Sequence, residues 1–269
     1  MNSFGFTRRS SSRPVLLAGF LVASAFGPVS HAVTVTNLSS NTTVFADNFE
    51  NGSLSASVGT WSRIGPSVGA TNSTTAPAPG PYEGDFYASV FRNSNTNGQG
   101  DLVGTLSAAQ SVPGDVLRLS VMLYVPSASE GVLARTNVFM ADGDFINFRA
   151  WTRTDGAGNV LAVGPGFVHT DTGIDYIPDT WQRWELTYEV GSTTFSVRVG
   201  NASASGFETY SVGQVSTVTF GNGSTVPGTF YVDAAPVPEP ATYALILAGL
   251  GLVCGLTMKR QRPSPGGLS

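Results

Sequence analysis

The sequence predicts an all-β protein, an antiparallel jelly-roll sandwich framed by an N-terminal signal peptide and one C-terminal transmembrane helix. Three observations predict it. Apolar residues recur at every second position through the interior of the chain, with almost no helical periodicity. Gly, Asn, Asp and Pro punctuate the gaps between those runs, as in "DGAGN" and "GNGS". Each end of the chain carries an uncharged apolar run beside basic residues.

The N-terminal element is a leader over residues 1–32. Arg8, Arg9 and Arg13 precede the apolar stretch Val15–Phe26, and Ser30 and Ala32 stand at a cleavage-type spacing. The mature chain is then expected to begin near Val33.

The sandwich domain is expected over residues 33–234. In "VLRLSVMLYV", Leu117, Leu119, Val121, Leu123 and Val125 form one aliphatic face. In "WQRWELTYEV", Trp184, Leu186, Tyr188 and Val190 face one way, and Arg183, Glu185, Thr187 and Glu189 the other. Phe195, Val197 and Val199 continue the pattern in "TFSVRV". Such alternation marks antiparallel strands with one buried face. Further candidates are "TVFAD", "FYASVFR", "VLARTNVFMA", "FINFRAWT", "TVTF" and "GTFYVD". The Gly-, Thr- and Pro-rich stretch "GATNSTTAPAPGPYEG" reads as a long loop inserted in the domain.

Residues 235–240 form a stiff, Pro-rich linker. Residues 241–258 are 18 residues without charge, and as a helix they span about 27 Å, enough for a bilayer core. Lys259, Arg260 and Arg262 follow within the tail 259–269 and act as a stop-transfer cluster. Basic residues at a membrane edge stay cytoplasmic, which puts the domain outside.

Between Val33 and Pro238 there are eight arginines, no lysine and seventeen carboxylates, a net of −9. That balance argues against nucleic acid as a partner. The single cysteine, Cys254, lies in the apolar run, so the domain has no disulfide.

The ending resembles the PEP-CTERM sorting signal of Gram-negative bacteria. Val237, Pro238, Glu239 and Pro240 carry the resemblance, with "ATYALILAGLGL" and the basic cluster behind them. The resemblance implies recognition by an exosortase-type membrane peptidase, transient residence in the inner membrane, and a final place at the cell surface or in an extracellular matrix rich in polysaccharide. The domain itself is similar to the concanavalin A-like lectin and glucanase jelly roll, through "VFADNFENG", "GDFYASV", "TWQRWELTYEVGSTTFSVRV" and "GTFYVD". A galactose-binding-like jelly roll shares the opening "NFE" and the closing "FYVD" and stands as the alternative.

No catalytic residue is expected. His169 is the only histidine beyond the leader, and no Cys/His set for zinc exists. Glu185 and Glu189 share a strand face but are about 13 Å apart, too far for paired glycosidase carboxyls. The expected role is a non-catalytic structural or adhesive component. The alternative is a carbohydrate-active enzyme on a lectin-like fold. Binding residues are sought on "FINFRAW", where Ile146, Phe148 and Ala150 take the core parity. Phe145, Asn147, Arg149 and Trp151 take the other, a mix of rings and polar tips suited to sugars. If that strand neighbours "WQRWELTYEV", Arg183 and Glu185 join the same surface. No cofactor is required. Calcium is a candidate ligand at Asp142 and Asp144, or at Asp47, Glu50 and Asp233 if the first and last strands meet.

Overall fold

The computed structural model describes residues 31–64, 68–72, 80–82, 84–92, 101–127, 133–140, 145–152, 158–209, 212–222 and 228–236. In the strands at 68–72, 133–140 and 145–152 the description is of backbone and pairing. The predicted leader up to residue 30, Asp142 and Asp144, and everything from Val237 onward lie outside the described residues.

Those residues form strands β1 (His31–Asn37), β2 (Thr42–Asp47), β3 (Thr60–Ile64), β4 (Val68–Asn72), β5 (Phe86–Arg92) and β6 (Leu102–Gln110). Then come β7 (Val116–Tyr124), β8 (Leu133–Met140), β9 (Phe145–Thr152), β10 (Gly158–Gly164), β11 (Val168–Tyr176) and β12 (Gln182–Glu189). The chain closes with β13 (Thr194–Val199), β14 (Ala202–Glu208), β15 (Val215–Asn222), β16 (Gly228–Asp233) and β17 (Ala235–Pro236). A 3-10 turn at Pro165–Phe167 is the only helical element among the described residues.

Two antiparallel sheets result. The first runs β14-β13-β12-β7-β16-β5-β4, with β1, β2 and β17 attached; the second runs β11-β10-β9-β8-β15-β6-β3. The chain passes repeatedly from one sheet to the other, as in a jelly roll. Strand β7 organises the first sheet: β12 covers one edge, while β1 and β16 share the other, β1 against Leu117–Ser120 and β16 against Met122–Tyr124.

The predicted inward faces are buried as the alternation requires. Leu117, Leu119, Val121, Leu123, Trp184, Leu186, Tyr188, Phe195, Val197 and Val199 all belong to one core cluster. They meet Leu102, Val160, Ala162, Ile174, Val218 and Phe220 of the second sheet. This face-to-face burial is the main source of stability in a chain without disulfides.

Three boundaries differ from expectation. The stretch predicted as a loop from Gly69 begins with β4, which pairs with β5 from Val68↔Val90 to Asn72↔Phe86. Its Gly, Ala, Thr and Asn residues carry no alternation because an edge strand needs only one partner. The linker expected from residue 235 starts inside β17, where Ala235 pairs with Ala32 and Pro236 with His31. That pairing also places His31 and Ala32 of the expected leader in β1.

Candidate binding surfaces

Strand β9 lies in the second sheet between β8 and β10. Its register settles which positions share a row. Ala150 pairs with Val160 and Phe148 with Ala162, both core residues of β10. Trp151, Arg149 and Asn147 pair with Asn159, Leu161 and Val163, on the other face. The same rows continue through Leu133, Arg135 and Asn137 of β8, with Phe139 opposite Phe145. Arg135 and Asn137 are positions that sequence reasoning did not single out. Thr219 of β15, opposite Asn137, is buried with a hydroxyl that has no hydrogen-bond partner among the described residues. Burial is graded along these rows. Val163 and Thr219 are buried beside Asn147 and Asn137, whereas Asn159 beside Trp151 is partly exposed. His169 pairs with Val163 at the exposed edge strand β11.

Arg183 and Glu185 do not join this surface. They sit on β12, which pairs with β7 and β13 in the first sheet, not with β9. The condition on which they were grouped with Trp151 is not met, since the core separates the two sheets. Both side chains lie on the outer face of the first sheet. Glu185 is buried, and its Oε1 sits 2.8 Å from Arg183 Nη2. Its Oε2 lies 3.9 Å from Arg198 Nη1. Arg183 Nε donates to Ser120 Oγ at 3.1 Å. Neighbouring Arg118 of β7 and Arg198 of β13 were missed because each sits alone in its own strand; only the pairing of β7, β12 and β13 gathers them. The result is a groove of about 330 Å³ bordered by Arg118, Glu185, Thr187, Ser196, Arg198 and Ser205.

The carboxylates proposed for calcium are separately engaged. Asp47 accepts from Phe49 N at 2.8 Å and from Trp61 Nε1. Burial raises its pKa above the ordinary aspartate value, against the lowering effect of those hydrogen bonds. Glu50 accepts from Asp85 N at 3.0 Å and Phe86 N at 3.3 Å. Asp233 is fully buried, accepting from Tyr82 N and Ala234 N, each at 2.7 Å. Among the described residues no three His, Cys, Asp or Glu side chains gather as a metal site. These hydrogen bonds tie Asp47 to the turn after β2 and to Trp61, Glu50 to the start of β5, and Asp233 to the segment at Tyr82.

A ring of four aromatics also lies on the first sheet. Tyr87 meets Tyr231 at 5.5 Å and Trp181 at 6.0 Å, and Tyr124 meets Trp181 at 5.6 Å and Tyr231 at 6.0 Å. Trp181 Nε1 donates to Gly80 O at 3.0 Å, so this cluster fastens the segment around Gly80. Burial raises the phenol pKa of Tyr87, Tyr124 and Tyr231.

Residues 236–261 match the PEP-CTERM protein-sorting motif. The match takes in Val237, Pro238, Glu239, Pro240, the apolar run, Lys259 and Arg260; Arg262 lies just past it. The motif marks the chain as an exported precursor, anchored in the membrane before sorting. No helix among the described residues is long and apolar enough to cross a membrane, and residues 241–258 lie outside them. Among curated proteins none matches the chain. Solved structures similar to it include a Crh5 transglycosylase in complex with NAG, at 11% identity and TM-score 0.39, covering 64% of this chain and 83% of that one. A Bacillus licheniformis β-glucanase matches at 9% identity and TM-score 0.31, covering 65% and 92%. The Caenorhabditis elegans galectin LEC-6 matches at 19% identity and TM-score 0.29, covering 47% and 89%.

Proposed function

We propose that this chain is an exosortase-processed surface protein of a Gram-negative bacterium, and that its sandwich is a non-catalytic adhesive module associated with extracellular polysaccharide. The sorting motif at 236–261 is the observation that carries the reading. A protein exported and released by that route meets the polysaccharide outside the cell. The row of Asn147, Arg149 and Trp151, aligned with Asn137 and Arg135, supports a sugar-facing surface on the second sheet. Indole faces stack on the apolar faces of sugar rings, while Asn and Arg orient hydroxyls. The engagement of Glu185 by two arginines, and its distance along the strand from Glu189, support binding over hydrolysis.

The decisive experiment incubates the purified protein with the polysaccharide of the producing organism. Retention without new reducing or unsaturated ends is expected. Shortening of the polysaccharide overturns the non-catalytic reading and favours a glycoside hydrolase or lyase.

A further inference from the structure

We propose that the groove on the outer face of the first sheet is a second binding site, one that takes a carboxylate-bearing polysaccharide such as a polyuronate. The site rests on the polysaccharide-associated reading above and adds the chemical class of the chain bound. It is separated by the core from the row that contains Trp151.

Its construction follows from register. One row across β1, β7, β12, β13 and β14 is Thr36, Arg118, Thr187, Ser196 and Ser205. The next is Thr34, Ser120, Glu185, Arg198 and Ser203. No apolar side chain interrupts either row, and hydroxyls and guanidinium groups line the groove beside Glu185, Val197 and Ala204. Arg118 and Arg198 line the groove and Arg183 grips its Glu185, so three of the domain's eight arginines gather around one carboxylate. A local excess of positive charge in a domain of net −9 needs an explanation, and solubility does not supply one.

The arginines have different tasks. Arg183 is committed: it grips the buried Glu185 and Ser120 Oγ. Glu185 in turn leans on Arg198, whose side chain remains half exposed at 52% and whose Nε donates to Gly200 O at 3.0 Å. Arg118 has no ion pair or side-chain hydrogen bond among the described residues. Its five donors stay available in a groove of about 330 Å³. Arg118 and Arg198 stand two strands apart, about 10 Å across the sheet. A planar fork favours carboxylate by paired hydrogen bonds, and the serine and threonine hydroxyls suit the sugar hydroxyls between successive acid groups. Arg118 and Arg198 therefore hold the acid groups, and the Arg183–Glu185 pair is the positioning element beneath them.

The test uses the full chain purified in detergent and three immobilised probes: polygalacturonate, dextran and dextran sulfate. The wild-type protein should be retained on polygalacturonate in preference to dextran, with retention falling as salt rises. Arg118→Gln should weaken that retention roughly ten-fold with the melting temperature unchanged, and adding Arg198→Gln should abolish it with only a small loss of stability from the contacts to Glu185 and Gly200 O. Arg118→Lys should recover only part of the loss, since an ammonium lacks the fork. Absence of polygalacturonate binding by the wild type overturns the proposal, as does equal binding by the double variant. Stronger retention on dextran sulfate overturns the choice of carboxylate. The producer's own polysaccharide separates the two readings. Equal retention by wild type and double variant sinks the groove alone, and no retention of any polysaccharide by the wild type sinks both.

Discussion

Asp47 illustrates how much a single buried carboxyl can bias this fold. Its two oxygens are used by Phe49 N and Trp61 Nε1, yet burial outweighs them and the folded-state pKa is raised. The folded protein therefore holds this proton to higher pH than the unfolded chain does. The group's contribution to stability is fully present below the unfolded value, about 3.9, and is lost as pH rises through the folded pKa. Urea melts of wild type and Asp47→Asn at about pH 3.5 and 6.5 should show the wild type losing ground to the variant at the higher pH. A wild type that instead gains on the variant refutes the assignment. Asp179 has the opposite sign. Hydrogen bonds from Ser127 lower its pKa, so its contribution is present above the unfolded value and lost as pH falls through the folded one. Neither behaviour was legible in the sequence, because Trp61 and Ser127 lie 14 and 52 residues from their carboxyl partners. What the sequence did disclose at this scale is strand parity: Trp184 and Tyr188 were expected inward, and each is 1% exposed. Trp184→Ala should accordingly cost about 3–5 kcal/mol, measured by denaturant melts, whereas Trp151→Ala should leave the melt nearly unchanged and weaken glycan retention. A large loss of stability in the second variant overturns the outward assignment of Trp151.

Elements were legible where a strand alternates and obscure where it does not. Strands β5, β9 and β16 coincide with the predicted "FYASVFR", "FINFRAWT" and "GTFYVD". Strand β14, "ASASGFE", was missed because it is an edge strand with hardly any apolar side chain to pack. Strand β6, "LVGTLSAAQ", was missed because glycine replaces a core side chain and a register shift breaks the alternation opposite Val215–Thr217. The glycine has a packing reason. A Cβ on Gly104 would stand 2.5 Å from Phe45 Cε2 and 3.1 Å from Val218 Cγ1. Phe45 thus lies directly on the backbone of β6, with Trp61 edge-on at 4.8 Å. Overpacking of this kind costs about 1–3 kcal/mol, and Gly104→Ala should lower stability by that amount. In a Phe45→Leu background the penalty of Gly104→Ala should shrink, because the ring it strikes is gone. A double-mutant cycle by thermal or urea denaturation measures the coupling; strict additivity would place the clash elsewhere.

At the scale of the whole molecule the two ends of the domain meet. His31 pairs with Pro236 and Ala32 with Ala235, so the chain enters and leaves the sandwich at one point. The segments that precede β1 and follow β17 therefore leave the sandwich side by side. The pairing also bears on processing. One residue, Val237, spanning about 3.5 Å, separates β17 from Pro238, the first proline of the Pro-Glu-Pro motif. A peptidase cleft needs an extended, unpaired substrate, and proline, which has no backbone donor and disfavours helix in the residue before it, suits a motif of that kind. Removal of His31 and Ala32 with the leader would release β17 and lengthen the free stretch by two residues. Asp233 would still be held, since its carboxylate accepts from Tyr82 N and Ala234 N at the buried end of β16. The cut is therefore expected beyond Ala234 and close to Pro238-Glu239-Pro240. Mass spectrometry of the mature surface form should find its C-terminus there, and replacing Pro238 and Pro240 by alanine should leave precursor in the membrane fraction. A surface form that retains Ser269 would remove processing from the account, while a C-terminus within Gly228–Asp233 would require the last long strand to unfold before cleavage.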